Sequence, residues 1–298
     1  MSNTLAYEKI TDQILDLMEK KNLAPWQKTW KGSNADSGAL SMSSGKAYTG
    51  SNAWWLPMVA MGNSYTSRYW GTYKAIQING GKVKKGQKGT TAIFWKFLEK
   101  INNNGKKETF PMLRHYTVFN ADQAEWPDGI PKKFEPITAT EEGLEFEPID
   151  AAEAIVQGYI SGPNGPTFAH DGGNTACYIP KKDKVSMPKK ATFLGEAEYY
   201  STVFHELGHS TGHPKRLARP GIVDTNYMGS QEYSEEELVA EFTACYLCGE
   251  SGIIDTRENS AAYIKGWAKR MRADKKLLIR ASGKAARASS YILRGADA

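Results

Sequence analysis

The 298-residue sequence predicts an α+β protein of two domains, on three observations. The first is the segregation of patterns: extended and helical periods mix up to about residue 125, whereas helical periods dominate the later chain. The second is charge. Residues 1–130 hold 17 Lys and Arg against 10 Asp and Glu, a net of +7, together with seven of the eight tryptophans, while the remainder balances to −2. The third is the stretch from Trp126 to Asp150, where four prolines, two glycines and a run of acids read as a linker. The expected boundaries are therefore a first domain over 1–128, a linker over 129–150 and a second domain over 151–298.

The elements follow in order. Leu5, Ile10, Ile14, Leu17 and Met18 recur at three- and four-residue steps, which predicts an amphipathic helix closed by Pro25. An irregular Gly/Ser/Asn stretch from Lys31 to Gly45 precedes a helix after Asn52, and a short helix over Thr72–Ile78 ends at Gly80-Gly81. Lys82–Trp95 reads as strand, Gly-containing turn and strand, and Asn102-Asn103-Asn104-Gly105 as a turn with a return strand over Arg114–Phe119. Beyond the linker come a helix over Ala151–Ile160 and a hairpin-like pair, Ala176–Ile179 and Lys184–Met187. Two clear helices follow, Tyr199–Ser210 and Ser234–Cys248, then a basic amphipathic helix over Trp267–Arg280 and a weaker one at the tail.

Composition removes several classes. With 40% apolar and 24% charged residues the chain is neither disordered nor collagen-like. No apolar run approaches the ~18–20 residues that cross a bilayer, so no membrane partner is expected. The opening MSNTLAYEKI lacks a leader pattern, and Cys177, Cys245 and Cys248 are too few for a disulfide framework, so a cytoplasmic setting is expected.

The chemistry concentrates in His205-Glu206-Leu207-Gly208-His209, an H-E-x-x-H sequence inside an apolar-periodic helix. Side chains four apart on a helix share a face. Two imidazoles so placed can hold one Zn²⁺ at ~2.0–2.1 Å, with room for a third ligand and a water. Glu206 beside them can serve as general base for that water, whose pKa the metal brings towards ~7. Mn²⁺ or another divalent transition ion suits the same donors. On the next helix Glu237 and Glu241 are four apart, so one can ligate the ion while the other hydrogen-bonds a ligand histidine from behind; Ser234 and Glu237 also fit a capping box. The E-x-x-x-acid spacing after H-E-x-x-H resembles the gluzincin arrangement, which implies Glu237 as third ligand and Glu241 behind a histidine. His213 is a rival, but Pro214 breaks the spacing a ligand there would need. It is expected to line the cleft or cap the helix end. Cys245-x-x-Cys248 sits mid-helix without a second pair and reads as buried packing.

Between Lys82 and Lys107 there are eight lysines and one acid, interleaved with Phe94, Trp95 and Phe97. Lysines neutralise phosphates, and aromatic faces stack on unpaired bases at ~1–3 kcal/mol each. Most tryptophans must serve the core. The candidate DNA-binding residues are Lys82, Lys84, Lys85 and Lys88 with Trp26, Trp30, Trp54 and Trp70, and single strands should be preferred because paired bases already stack on one another.

Taken together, Pro25-Trp26-Gln27-Lys28-Thr29-Trp30, Tyr48-Thr49-Gly50-Ser51-Asn52, Gly81–Gly89, Tyr178-Ile179-Pro180, Val185-Ser186-Met187-Pro188, the H-E-L-G-H-S-T-G-H stretch, Arg216-Leu217-Ala218-Arg219 and Glu236–Glu241 resemble, in order, the ArdC antirestriction family over the full length. The resemblance implies a mixed α+β domain that binds single-stranded DNA and a zincin-like metallopeptidase domain, similar in layout to the SprT/Spartan proteases. It also implies a protein substrate, as yet unidentified, and protection of incoming plasmid DNA from host restriction. The alternative is a non-catalytic protein that coats single-stranded DNA and whose metal site is structural.

Overall fold

The computed structural model describes residues 3–21, 38–101, 107–127, 129–134, 148–173, 175–193, 195–223, 231–253 and 261–295. They fall into two compact units, one running to residue 134 and one from residue 148.

In the first unit α1 (Asn3–Lys21) buries Ile10, Ile14, Leu17 and Met18, the stripe its three- and four-residue periodicity marks. The sheet has the order β1 (Leu40–Ser41), β2 (Tyr69–Gly71), β5 (Lys107–Asn120), β4 (Thr90–Ile101). β4 and β5 form a long antiparallel pair in register from Thr90↔Val118 to Ile101↔Lys107. Both strands run further than the sequence suggests, because charged and aromatic residues alternate along them without a clean two-residue apolar period. α2 (Ser51–Gly62) is fastened to β4 by two buried side chains: Asn52 exchanges hydrogen bonds with the Ile93 backbone, and the Trp55 indole donates to the Thr91 carbonyl at 2.8 Å.

α3 (Tyr73–Ile78) is capped by Thr72, whose hydroxyl accepts from Ala75 N, and Gly80 takes a positive φ of 85° to end it. The strand, turn and strand read over 82–95 are present. β3 (Lys82–Val83) pairs with β6 (Ala124–Glu125), not with β4, so the lysine turn links two separate sheets. Phe134 is buried against Tyr69 and Trp126 in the first unit's core, so the stretch marked as linker from 129 is packed structure up to that residue.

The second unit packs helices against a three-stranded sheet ordered β7 (Thr167–Ala169), β9 (Lys184–Ser186), β8 (Cys177–Ile179). β7 runs parallel to β9 and was not expected from the sequence; β8 and β9 are the expected antiparallel pair. α4 (Pro148–Ile160), α5 (Glu196–Ser210) and α7 (Gln231–Ser251) share a core that includes Val156, Tyr200, Val203, Phe204, Leu207, Leu247 and Cys248. α6 (Pro220–Val223) is a single turn. The basic helix expected over 267–280 is instead two, α8 (Ala261–Ala273) and α9 (Leu277–Arg294), divided at Asp274, whose carboxylate accepts from Lys276 N at 2.9 Å. No helix among the described residues is long and apolar enough to cross a membrane.

Candidate metal centre and nucleic-acid surface

α5 begins after Gly195 with Glu196 and Glu198 in its first turn, where acids suit the helix dipole. Its apolar stripe faces the core, which turns His205 and His209 towards α7. The crossing is close at Gly208: a Cβ there would lie 3.1 Å from the Thr243 Cβ and 3.2 Å from the Ala240 Cα. A glycine in the fourth position of the H-E-x-x-H sequence therefore lets α7 approach until its carboxylates reach the imidazoles.

The outcome is a compact donor set. His205, His209 and Glu237 each present one ligand atom within 4.8 Å of the others. The two Nε2 atoms are 3.1 Å apart, and the Glu237 oxygens lie 3.5 Å from His209 Nε2 and 3.6 Å from His205 Nε2. Two bonds of ~2.0–2.1 Å at a tetrahedral angle require a separation of about 3.3 Å, so these three residues fit one divalent transition ion. Glu206 is 8% exposed on the same helix.

The acids of α7 point three ways, because successive helical residues are ~100° apart. Glu235 is paired with Arg280 and Lys284. Glu237 faces the two Nε2 atoms. Glu236 turns inward, with Oε1 3.4 Å from His209 Nδ1, and both its oxygens accept from the Arg219 guanidinium at 2.6 and 2.8 Å. Arg219 also donates to the Thr211 hydroxyl and the Gly208 carbonyl. It thereby ties the end of α5 to α7 behind the donor set. Burial opposes the Glu236 charge, but Arg219 and His209 outweigh it and hold its carboxyl below the usual range. Glu241 lies behind the other ligand, 3.8 Å from His205 Nδ1. Burial opposes charging of the His205 ring; Glu241, Glu237 and Glu206 outweigh that and push its pKa up to about 10. A bound cation must displace that proton.

Glu236 and Arg219 lie in segments that carry the family resemblance, but no spacing or periodicity pairs them. An acid in a run of three is ambiguous, and Arg219 reaches its place through Ala218, a non-glycine residue at φ 45°, which costs on the order of 1 kcal/mol. A second clamp holds the β8–β9 turn. Asp183, also left-handed at φ 46°, takes the buried Arg216 guanidinium and the Tyr178 hydroxyl, while Arg216 Nε donates to the Ser210 carbonyl. The β8 strand is so fixed to the C-terminal end of α5. His213 stays outside the donor set: its Nδ1 accepts from Lys215 N at 3.3 Å and lies 3.7 Å from Asp183. Cys248 is fully buried and Cys245 partly so, both as free thiols in α7, which agrees with a packing role for that pair.

In the first unit Lys82 on β3 and Lys84, Lys85 and Lys88 on the turn after it are all exposed. The turn is pinned from below, Gln123 donating to the Lys88 carbonyl and to the Gln87 side chain. Trp70 overturns its expected role. It is 0% exposed and packs edge-on to Tyr65, so neither face can meet a base. Trp26 and Trp30 lie outside the described residues. Trp54 is on α2, its side chain likewise outside them.

Two family models match the chain. One, described as the N-terminal domain of anti-restriction factor ArdC, covers residues 4–119, and one described as a zincin-like metallopeptidase covers residues 159–284. A metal-free crystal structure of the antirestriction ArdC protein from plasmid R388 is similar over 98% of this chain and 97% of that one, at 33% identity and a TM-score of 0.71. The chain belongs to the ArdC family. The R388 protein has also been crystallised in an Mn(II)-bound form, similar at 32% identity over 97% of each chain with a TM-score of 0.72. Among curated relatives, a DNA primase TraC of Escherichia coli is 32% identical over 96% of this chain, which spans 20% of that protein's length. An uncharacterized protein of Sinorhizobium fredii is 29% identical, with 91% of its length covered. The ArdC relationship accounts for the two-domain architecture, and the zincin-like match falls on the unit that holds the His205–His209–Glu237 set.

Proposed function

We propose that this ArdC-family chain is an antirestriction protein that holds single-stranded DNA through its first unit and cleaves DNA-bound proteins at a metal centre in its second. The observation that carries the reading is the donor set: two imidazole Nε2 atoms and one carboxylate converge, and Glu206 follows the first histidine on the same helix. The ligands are His205, His209 and Glu237. The donors suit Zn²⁺ and also Mn²⁺, and the Mn(II)-bound R388 relative supports a divalent ion.

When bound, such an ion supplies Lewis-acid polarisation of a carbonyl and a water acidified towards ~7. Glu206 takes a proton from the attacking water and passes it to the departing amine. Glu236 holds the Nδ1 side of His209, and Glu241 stands 3.8 Å from Nδ1 of His205, placed to take up that buried donor as the ion binds. A peptide adds to the outer edge of β8, by backbone hydrogen bonds from Ala176–Ile179. The alternative segment, Lys184–Met187, is unsuited because β9 already pairs on both sides. The charge of Glu206 reaches Cys177 on β8; after burial it is the largest influence holding that thiol neutral, which supports an edge strand running past the site.

In the first unit, lysines 82, 84, 85 and 88 bind the phosphate backbone. With Trp70 in the core, stacking falls to aromatics that reach solvent. Phe94 is 46% exposed with its ring 5.7 Å from Tyr116, and Tyr73 is 45% exposed.

Glu206→Gln tests the proposal. It preserves shape and should leave metal and oligonucleotide binding intact while lowering peptide cleavage by ~10²–10⁴ and abolishing protection of incoming DNA. A variant that still protects fully would leave a DNA-coating protein whose ion is structural.

A further inference from the structure

The α8–α9 segment of the second unit reverses the charge around it. Residues 148–253 carry 8 Lys and Arg against 14 Asp and Glu, a net of −6, whereas residues 261–295 carry 10 against 1, a net of +9. The fold itself uses some of those cations: Arg280 pairs with Glu235 and Asp274, and Lys284 with Glu235. Others lie on the surface. Lys265, Lys269 and Arg272 are exposed at steps of four and three along α8, a single stripe with a cation at each turn, about 5 Å apart along the axis. Arg287 and Arg294 are exposed seven apart on α9, again one face. Among the described residues Lys265, Lys269, Arg287 and Arg294 form no ion pair. A merely solvated helix relieves like charges four apart with interleaved acids; this one keeps the Lys265–Lys269 repulsion.

We infer that the exposed cations of α8 and α9 make a second nucleic-acid contact, which binds the phosphate backbone without regard to sequence. A strand presents a phosphate every ~3.4 Å of rise, so a cation at each helical turn can neutralise more than one phosphate in two. A protein partner is the weaker fit. Protein interfaces need a buried apolar anchor; the described exposed positions of α8 are Lys265, Gly266, Lys269, Arg270, Arg272 and Ala273, with no large apolar side chain, and α9 exposes one, Leu293, beside Arg294. Apolar surface is spent inward instead, Trp267 and Met271 being buried beneath the stripe, with Arg270 5.0 Å from the Trp267 ring centroid. The peptidase-like unit would then sit on the same strand as the proteins it meets. This goes beyond the proposed role of the first unit, and it assigns DNA contact to a unit whose family match is to a peptidase.

The test uses the full chain in four forms: unaltered, Lys84→Gln/Lys85→Gln/Lys88→Gln, Lys265→Gln/Lys269→Gln/Arg287→Gln, and all six together. Each is titrated with a fluorescent single-stranded 30-mer between 50 and 200 mM salt, after thermal unfolding has shown the fold unchanged. Three lost phosphate contacts lower the slope of log K against log salt by about 2. The fourfold rise in salt should then weaken the helix-surface variant about 16-fold less than the unaltered chain, and the six-site variant should lose both contributions. If the helix-surface variant binds with unaltered affinity and slope while the lysine-turn variant is weakened, the α8–α9 inference is wrong and the DNA-binding role of the first unit stands. If the unaltered chain does not bind the oligonucleotide, both fall together.

Discussion

The two units handle charge in opposite ways. In the second, the side chains around His205 and His209 are buried and mutually committed: Arg219 has four acceptors, Glu236 is held by Arg219 and His209, and Arg216 is enclosed with Asp183. In the first, the lysines of the 82–88 turn stand in solvent, and Lys84 alone is tethered, to the Asp122 carbonyl at 3.0 Å. A metal centre has to fix ligand directions before the ion arrives, so its charges must be paired and dry. A surface for a polyanion has to release counterions, so its charges must be wet and unspent. The same residue types therefore predict opposite sensitivities in the two units, and substitution can break or sharpen that contrast.

The largest effect is expected at Arg219. Arg219→Met leaves Glu236 buried with His209 alone beside it, 3.4 Å away, and breaking a buried pair by removing one partner costs about 3–5 kcal/mol. Urea unfolding followed by tryptophan fluorescence and circular dichroism should show the second unit melting early while the transition of the tryptophan-rich first unit stays in place. Adding Glu236→Met should restore much of the loss in stability. It should not restore metal affinity, which is expected to remain ~10–100-fold weaker because His209 Nδ1 has lost its partner. If the double variant binds Mn²⁺ as tightly as the unaltered chain, the Glu236–His209 contact has no role in holding the ligand.

An intermediate effect is expected at Asp183, and it depends on pH. Burial opposes its charge, but Arg216, Tyr178 and His213 outweigh burial and keep its pKa below the usual carboxylate value in the folded chain. A depressed folded pKa contributes stability that is present above the unfolded value of ~3.9 and is lost as pH falls through the folded value. Asp183→Asn should therefore destabilise the second unit by on the order of 1–3 kcal/mol at pH 7, by leaving the buried Arg216 without its countercharge. The difference from the unaltered chain should shrink below about pH 4. A constant difference down to pH 3 would mean that the link acts through shape and not charge.

How much of this was legible depends on how local each feature is. The His205–His209 pair could be read because helical spacing alone puts both imidazoles on one face; spacing left Glu237 and Glu241 as alternatives opposite them, and only the gluzincin resemblance chose Glu237. Gly208 was visible as a letter, but its purpose, the close approach of α7, needs both helices in place. Arg219 and Asp183 depend on left-handed residues outside the helices, where no periodicity operates, so local pattern gave neither clamp a role even though Arg216–Arg219 and Glu236–Glu241 lie in the segments that carry the resemblance. In the first unit the lysine turn was legible as an exposed charged loop, yet its flanking strands join different sheets, a long-range choice that local pattern does not encode. Trp70 shows the same limit. Aromatic content marks a stacking surface or a core with equal force, and only the packing of Tyr65 against it decides for the core.

The smallest effect on stability is expected in the first unit, and it sharpens the contrast most. Lys84→Gln/Lys85→Gln/Lys88→Gln removes three formal charges from a turn whose shape is set elsewhere, by Gly86 at φ 83° and by Gln123 holding the Gln87 and Lys88 positions. Surface substitutions away from such anchors stay within about 0.5 kcal/mol, so the unfolding midpoint should barely move. Removal of two positive neighbours from a net-basic segment offsets what little the Lys84–Asp122 hydrogen bond contributes. A loss of more than about 1 kcal/mol would mean that these lysines are structural cations of the kind found around Arg219, and the turn would cease to be a candidate for a phosphate backbone.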